Sequence, residues 1–463
     1  MVEGIVMQEL AQQIHEASLA LLSDPGIKIE HEEIRHVLLS AGCSSGTASE
    51  VVKFPRTLVE EMLALCPEEV WLAARNNEGR RITAVGRPCI WSVPGLYLHR
   101  RGKHRSYTSE DLAQMTRLLH HLEQVDGVFG YSLDDIEPRA RDVVGLRIMA
   151  ENTTKHIRVF CFTPEGADVL TGMKEVIGKI PWFSIGFTAH GPLRWTSLAL
   201  EIFKRTAGYG IPASINGEPM AGVTGPVTLA GSAAVGNAEI LSGIVINQLL
   251  EPGRPLTYNL GLAHIFDMRT AIAVTGGPEN ALFARYSALM GRYYKLPSAS
   301  WVSTESMVPD SQAALEKMAG FLTHLGSGVS NIWGVGQLES EMTFSPAQAV
   351  IDNEMICYVK RYLRGLEVNA NTLVVDEIRK AGIAGCFLET EHTADHYRSE
   401  FFMPSILFRE QREAWVAQGS RRLEERAEEA ADALIDQAVE SGLHEDQLRE
   451  LDALVARFLK AAS

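Results

Sequence analysis

Acidic, aromatic and histidine side chains recur in this sequence directly after short apolar stretches. Each stretch is typical of a buried β-strand, and helical segments separate most of them. Because the carboxyl ends of parallel strands meet at one rim, the side chains that follow them should share one site. The residues predicted to contact a ligand there are His190, Asn216, Glu218, Tyr258, Trp301, Glu305, Trp333, Gln337, Glu341, His392, Arg398 and Phe401.

This mixture of carboxylates and aromatic rings suits a small organic cation. A quaternary ammonium group binds over an aromatic ring by cation–π attraction worth roughly 0.5–2 kcal/mol. A nearby carboxylate adds Coulomb attraction that a water-poor site screens weakly. No residue is assigned a catalytic role, and ordinary packing or hydrogen bonding is the alternative for each ring and each histidine.

One loop at this rim is unusually rich in turn residues. The segment 214–231 contains four Gly and two Pro and follows the apolar run 211–215. Glycines allow a ligand to approach the backbone closely, and they also permit a plain tight connection between a strand and a helix. Both interpretations stay open from the sequence.

The elements that would position these residues alternate regularly. Eight strands separated by helices predict an α/β fold of the TIM (β/α)8-barrel type. A doubly wound open sheet is the alternative, but no GxGxxG loop follows a first strand. The predicted strands are Val128–Leu133, Ile157–Phe162, Phe183–Phe187, Ala213–Ile215, Leu256–Leu260, Ser298–Ser303, Val329–Gly334 and Cys386–Leu388.

The remaining sequence divides around this barrel. We predict an N-terminal accessory region of helices and β-hairpins at 1–125, a catalytic barrel at 126–408 and a charged helical tail at 409–463. Acidic and basic residues are interspersed in the tail, which is typical of a solvated helix face.

Charge and composition exclude several classes of function. The 463 residues include 43 basic and 58 acidic ones, giving a net charge of −15, which disfavours nucleic acid as a partner. No stretch of 18 apolar residues and no secretion signal is evident, so we expect a cytoplasmic protein without a membrane span. The six cysteines are scattered without a C-x-x-C pair, so no metal site is predicted.

Several motifs resemble those of the trimethylamine methyltransferase family, whose members move a methyl group from an amine to the cobalt of a corrinoid protein. The resemblance runs from about Ile14 to Phe408, and its motifs are specific for the family but not for a substrate. It implies a TIM barrel, in agreement with the strand count. The motifs lie at 22–30, 52–56, 222–231, 276–279, 333–340 and 392–393.

The resemblance also indicates which branch of the family to expect. Members that use trimethylamine carry pyrrolysine late in the barrel, near Gln337–Met342 in this numbering, whereas every residue here is an ordinary one. This implies a corrinoid-dependent N-methyltransferase that acts on a quaternary amine such as glycine betaine. No cofactor would be bound tightly by the chain itself, because a partner protein supplies the cobalamin.

Other functions remain open at this point. One alternative is a non-catalytic barrel that binds a betaine, and another is a methyltransferase with a different N-methyl donor or a folate acceptor. We further expect a homo-oligomer, with the charged tail as one candidate for the contacts between subunits.

Overall fold

A closed barrel of eight parallel strands forms the centre of the protein, in a computed structural model that describes residues 2–76 and 78–462. The predicted TIM barrel is therefore confirmed. All strands are short and largely buried on both faces, which explains their nearly continuous apolar sequences. The barrel strands are β1 (Cys89–Ser92), β2 (Gly127–Phe129), β3 (His156–Val159), β4 (Phe183–Ala189), β5 (Ala213–Gly217), β6 (Leu256–Gly261), β7 (Ser298–Trp301) and β8 (Asn331–Val335).

Every barrel strand is followed by a helix on the outside of the barrel. Several of these helices begin at a side-chain cap, such as Thr163, whose hydroxyl accepts from the N–H of Gly166. The eight helices are Ser109–His121, Arg141–Asn152, Pro164–Ile177, Ser197–Arg205, Leu229–Leu250, Pro278–Tyr294, Ser311–Ser327 and Pro346–Arg364.

The first strand of the barrel was not predicted, and the last predicted strand is wrong. The segment Cys386–Leu388 is apolar but lies on the surface, where Leu388 is 80% exposed. The strand that completes the barrel is instead β1 (Cys89–Ser92), all four residues of which are buried. The barrel therefore begins before residue 126, inside the segment predicted as accessory.

A β-hairpin closes the amino-terminal end of the barrel. Its strands, Val70–Ala73 and Gly79–Ile82, are antiparallel partners. The N–H of Ala73 donates to the carbonyl of Pro181, just before β4, at 3.2 Å. Val70, Leu72 and Ile82 of the hairpin are buried in one apolar cluster with side chains from inside the barrel. Among residues 2–76 and 78–462, the hairpin covers this end, so a ligand would enter at the carboxyl-terminal end, the mouth.

Short strands and turns surround the mouth. The hairpin Tyr97–Arg100 and Lys103–Ser106 follows β1 and pairs with Thr343–Phe344, which in turn pairs with Gln337–Leu338 after β8. A second sheet at the rim joins Met220–Ala221, His264–Asp267 and Ile272–Val274. The 3-10 turns Pro138–Ala140 and Glu339–Glu341 complete the rim.

Helical segments extend the barrel at both ends of the chain. At the N-terminus, helices Val2–Ser23, Glu32–Ser40 and Arg56–Ala64 accompany a small sheet of Ile27–Ile29, Ser44–Ser45, Val51–Lys53 and Arg194–Trp195. The C-terminal helices are Ala370–Leu373, Val375–Ala381, Glu391–Glu400, Arg412–Ala417, Leu423–Ile435 and Glu445–Ala462. Of these, Leu423–Ile435 packs on Pro346–Arg364, and Glu445–Ala462 packs on Pro164–Ile177.

The helix Leu229–Leu250 is long and apolar enough to cross a membrane by length and composition alone. In this fold 83% of its most apolar stretch is buried inside the protein. It packs against β5 on one side and against Val2–Ser23 and Arg56–Ala64 on the other. Its all-round apolar surface is therefore explained by burial between two layers.

Candidate active site

A cavity of about 460 Å³ opens at the mouth of the barrel. Two larger recesses, of about 1200 and 640 Å³, lie between outer helices and away from the strand ends. We place the candidate active site in the mouth cavity, because (β/α)8-barrel enzymes react substrates at this end. It is lined by Pro94, Gly95, Leu96, Phe129, Ser132, Arg158, Val159, Phe160, Cys161, Phe162, Gly186, Thr188, Asn216, Glu218, Leu262, Trp333, Ser340, Glu341 and Met342.

Arg158 provides a buried positive charge on the wall of this cavity. It lies within strand β3 and is only 5% exposed. Its guanidinium makes two long hydrogen bonds, from Nη1 to the carbonyls of Val159 (3.3 Å) and Ser184 (3.4 Å). Within residues 2–76 and 78–462, Nε has no hydrogen-bond partner and no carboxylate forms an ion pair with Arg158. A buried charge in this state is costly unless an anion arrives to pair with it.

The surroundings of Arg158 are built to hold the guanidinium in place. Strand β4 carries Gly186 beside it, where a Cβ would overlap Nη2 of the arginine. The guanidinium carbon also lies 5.4 Å from the ring centre of Phe129 and 5.9 Å from that of Trp333. Burial lowers the pKa of Arg158 to about 9, so the group stays charged at neutral pH.

Two carboxylates line the cavity nearer the mouth. Glu218 follows the last residue of β5, and Glu341 lies in the turn after β8. Burial raises the pKa of Glu218 to about 7. Burial, and then the charge of Glu218, raise the pKa of Glu341 well above its usual value. At neutral pH the pair therefore carries fewer than two negative charges, and a cation bound beside it would favour ionisation.

Backbone strain is concentrated where Glu341 is presented. Glu339, Ser340 and Glu341 have φ angles of 54°, 49° and 82°, in the left-handed region that residues other than glycine rarely adopt. The turn is held by N–H groups of Glu339 and Ser340, which donate to the carbonyls of Ser306 and Thr304 at 2.9 Å each. Each residue in this conformation costs on the order of 1–3 kcal/mol, and such strain is found mostly at functional sites.

A buried ion pair supports this turn from below. Nζ of Lys317 lies 2.7 Å from Oδ2 of Asp352, and neither side chain is exposed. The same ammonium donates to the carbonyls of Gly334 (2.7 Å) and Gln337 (2.9 Å). Asp352 in turn accepts from the N–H of Gly336 at 2.7 Å. The pair therefore fixes the backbone that leads from β8 to Glu341.

Aromatic rings form one continuous wall of the cavity. Phe160 and Phe162 lie just beyond β3 with ring centres 5.4 Å apart and planes 24° from parallel. Phe129 connects them to Trp333, at 5.2 Å from Phe160 and 5.5 Å from Trp333. Phe160 and Phe162 are only partly buried, so their rings present open faces to a ligand.

Four of the residues predicted from the sequence line this cavity, namely Asn216, Glu218, Trp333 and Glu341. Asn216 is held by its neighbours. Its amide oxygen accepts from Ser214 (2.7 Å) and Asn259 (3.0 Å), and its nitrogen donates to Thr188 (3.0 Å). Its orientation is thereby fixed within the site.

Five other predicted residues do not line the cavity. Tyr258 is fully buried and donates to Asn237 on helix Leu229–Leu250, so it packs outside the barrel. Trp301 is buried in the apolar cluster inside the barrel, and Gln337 is buried and donates to Ser303. Glu305 accepts hydrogen bonds from the N–H groups of residues 275 and 276. His190 is exposed, and its Nδ1 lies 3.1 Å from the carbonyl oxygen of Thr188.

The last three predicted residues lie on the surface of the C-terminal segment. His392 packs against His396, the Arg398 guanidinium bonds to Tyr397, and Phe401 is 65% exposed. They were predicted because a barrel strand was expected at Cys386–Leu388. Since that strand does not exist, nothing in the single chain brings them to the cavity.

Arg158, Phe160 and Phe162 were not among the predicted ligand contacts, although Tyr258, Trp301 and Trp333 were predicted from inside their strands. Arg158 lies inside its strand, and the two phenylalanines were counted as part of the predicted strand 157–162. The available signal was the isolated charge within the apolar run Ile157-Arg158-Val159, because arginine is rarely buried without a partner.

The fold and this cavity together define a (β/α)8-barrel protein with a candidate small-molecule site at its mouth. Comparison with known proteins makes the class specific. A family model described as trimethylamine methyltransferase matches residues 3–462. The chain therefore belongs to the trimethylamine methyltransferase family and is a methyltransferase.

Individual relatives agree with this assignment. The trimethylamine methyltransferase of Desulfitobacterium hafniense is 32% identical over 460 residues, covering 96% of this chain and 91% of the relative. A glycine betaine methyltransferase of the same species is 28% identical over 429 residues, covering 89% and 88%. The solved monomethylamine methyltransferase of Methanosarcina barkeri superimposes with a TM-score of 0.50 at 12% identity, covering 92% of each chain, which supports the fold alone.

Proposed function

We propose that this methyltransferase takes a methyl group from a quaternary amine that also carries a carboxylate, such as glycine betaine. The acceptor is the Co(I) of a corrinoid held by a separate protein in the cytoplasm. The observation that carries this proposal is the unpaired Arg158 inside a cavity that also holds two carboxylates nearer the mouth. Trimethylamine has no anionic group to offer to Arg158, whereas a betaine does.

The depth of the charged groups gives the bound molecule a direction. Arg158 lies within β3, whereas Glu218 and Glu341 lie beyond the ends of their strands. A betaine whose carboxylate pairs with Arg158 therefore directs its ammonium methyl groups towards the mouth. Leu96 and Met342, each 38% exposed, line the cavity and also reach solvent there. An acceptor that docks over the mouth would meet the methyl group first.

The charges of the cavity are balanced by such a ligand. Arg158 pairs with the carboxylate, the carboxylate pair near the mouth faces the ammonium, and the aromatic wall adds cation–π attraction. Methyl transfer breaks a C–N bond and leaves that electron pair on nitrogen, while the acceptor's Co(I) would supply the pair for the new bond to the methyl group. The nitrogen becomes a neutral tertiary amine, and the substrate's carboxylate keeps its charge. No proton needs to be supplied to that leaving group, and the residues have only to orient the methyl group and exclude water.

The direct test is an anaerobic assay with the full-length protein. Reduced corrinoid is mixed with glycine betaine, a longer betaine, tetramethylammonium or trimethylamine, and its absorbance is followed. We expect methyl transfer from a betaine and much slower transfer from the two compounds without a carboxylate. Binding of betaines without any transfer, to corrinoid or to folate, would instead identify a binding protein.

The raised pKa of Glu218 predicts how binding depends on pH. Glu218 is protonated below about pH 7 and cannot attract the ammonium there. We expect betaine affinity to fall roughly tenfold between pH 8 and pH 6, since the ionised fraction falls by that factor. Calorimetry should show the full fall in the wild type and a smaller fall in Glu218→Gln, where Glu341 is the remaining carboxylate.

The raised pKa of Glu218 affects the stability of the ligand-free protein in the opposite direction, because the folded state favours the protonated carboxyl group. Folded Glu218 keeps a proton that the unfolded chain releases near its usual pKa of 4.5. Stability should therefore decline as the pH rises from about 4.5 towards 7, and Glu218→Gln should remove this contribution. A wild-type affinity that does not change with pH would contradict the role of Glu218.

The aromatic wall makes a separate prediction. Phe160→Leu keeps an apolar side chain but removes one ring, so we expect affinity for a betaine to fall about threefold to tenfold, which corresponds to a cation–π contribution of about 1 kcal/mol. The matched ligand is the neutral isostere in which carbon replaces nitrogen, whose affinity should change little. An equal loss for both ligands would indicate shape complementarity instead of cation–π binding.

A further inference from the structure

The segment 366–404, which we call the arm, is exposed along its whole length. It contains the helices Ala370–Leu373, Val375–Ala381 and Glu391–Glu400, and none of its 39 residues is buried. Ten of its large apolar side chains are exposed, including Ile383 at 105% and Leu388 at 80%. Helices of 4, 7 and 10 residues are marginal in water unless they bury an apolar face, so the arm needs a surface to cover it.

Both ends of the arm are attached to its own subunit, and the stretch between them is left uncovered. The carbonyls of Ser399 and Glu400 accept hydrogen bonds from Arg364 and Arg361 at 2.5 Å each. Beyond the arm, the N–H and hydroxyl of Ser405 donate to the buried carboxylate of Glu354. The arm thus leaves the subunit and returns to it at the same helix, Pro346–Arg364.

An apolar groove of matching character lies beside the point where the arm leaves. It runs between the helices Ser311–Ser327 and Pro346–Arg364 and has a volume of about 640 Å³. Its walls include Leu315, Met318, Leu322 and Tyr358, of which Leu315 is 72% exposed. Ile406 and Leu407, just after the arm, also line it, so the arm and this groove are continuous on the surface.

The charges of the two surfaces are also complementary. The arm contains seven acidic and three basic residues, a net charge of −4. Next to the groove, and sharing Leu322 with it, is the recess lined by Arg285 and Arg292. These two arginines lie close enough to lower the pKa of Arg292 by mutual repulsion, after the larger effect of burial. An acidic segment docked there would relieve that repulsion.

We infer that the arm of one chain docks in the groove of a second copy, and that the two copies exchange arms about a twofold axis. A reciprocal pair of this kind presents the same two surfaces on both subunits. Stable pairs usually bury about 800 Å² per partner, an area that ten large apolar side chains with their backbone can supply. The exchange would also give the region that holds His392, Arg398 and Phe401 a surface to pack against.

Sedimentation velocity of the full chain tests this inference. The double variant Ile383→Lys/Leu388→Lys and the single variant Leu315→Glu change exposed residues, so the fold of each subunit should persist by circular dichroism. We expect either change to weaken self-association at least about 100-fold, since each buries charge in an apolar contact. The matched control is Val85→Lys, at a valine that is 69% exposed away from the groove, which should associate like the wild type.

Crosslinking distinguishes a second copy from other occupants. Cys386 is an exposed cysteine in the arm. In Leu315→Cys, a short bismaleimide should join Cys386 of one chain to position 315 of another, giving a dimer on a denaturing gel that disappears when Cys386→Ser is added. A monomeric wild type at all concentrations, or a crosslink found only within one chain, would overturn the inference. The methyl-transfer assay does not enter either outcome, so this result stands apart from the proposed function.

Discussion

Arg158→Gln should lower kcat/KM for a betaine by at least about 100-fold, close to 3 kcal/mol, because it leaves the substrate carboxylate buried without its partner. For tetramethylammonium, which has no carboxylate, the same variant should retain its activity within about threefold. Steady-state assays with both compounds measure the difference. An equal loss for both compounds would mean that Arg158 acts on something other than the carboxylate.

Two further measurements separate this role from a structural one. The free Arg158→Gln protein should be at least as stable as the wild type in denaturant, since it no longer buries an unpaired charge. An arginine needed for folding would give the opposite result. Gly186→Ala should reproduce much of the betaine defect with Arg158 unchanged, because the new Cβ occupies the place of the guanidinium.

Asp352→Ala should lower the free energy of unfolding by about 3–5 kcal/mol, because it leaves the ammonium of Lys317 buried without its partner. Replacing both partners, in Lys317→Met/Asp352→Leu, should restore most of that stability. Chemical denaturation gives both values. The control is Asp446→Ala, which breaks an exposed pair with Arg449 (87% and 70% exposed) outside the arm and should cost less than about 1 kcal/mol.

The double variant also tests what the ion pair does for the site. It loses the hydrogen bonds to Gly334, Gly336 and Gln337 that fix the backbone before Glu341. We therefore expect a stable protein that binds a betaine more weakly than the wild type does. If the double variant is fully stable and binds a betaine with unchanged affinity, the strained turn is fixed by its other contacts. A loss of stability below about 1 kcal/mol in Asp352→Ala would contradict the importance of the ion pair.

The sequence was sufficient to predict the barrel but not all of its strands. Runs such as Phe183–Phe187 and Leu256–Leu260 are apolar and bounded by turn residues, and both are strands. Cys386–Leu388 has the same local character, yet it lies on the surface. Local pattern cannot distinguish an apolar segment that a neighbouring layer covers from one that is left uncovered, because the difference depends on distant parts of the chain.

The site was predicted in part for a related reason. Glu218 and Glu341 follow their strands, where position in the barrel is enough to find them. To predict that Arg158 lines the cavity, one must know which face of β3 points inwards and that Gly186 leaves space for the guanidinium. The identity of both neighbours is readable from the sequence, but their contact is a property of the closed barrel.

The hairpin that closes the amino-terminal end has a consequence for turnover. Under the proposed function, the substrate, the demethylated amine and the methyl acceptor would all have to use the mouth of the barrel. The small molecules would then exchange only while the acceptor protein is dissociated from the mouth. Exchange of the amine and docking of the acceptor would therefore alternate. A surplus of acceptor protein would then slow the enzyme instead of speeding it up.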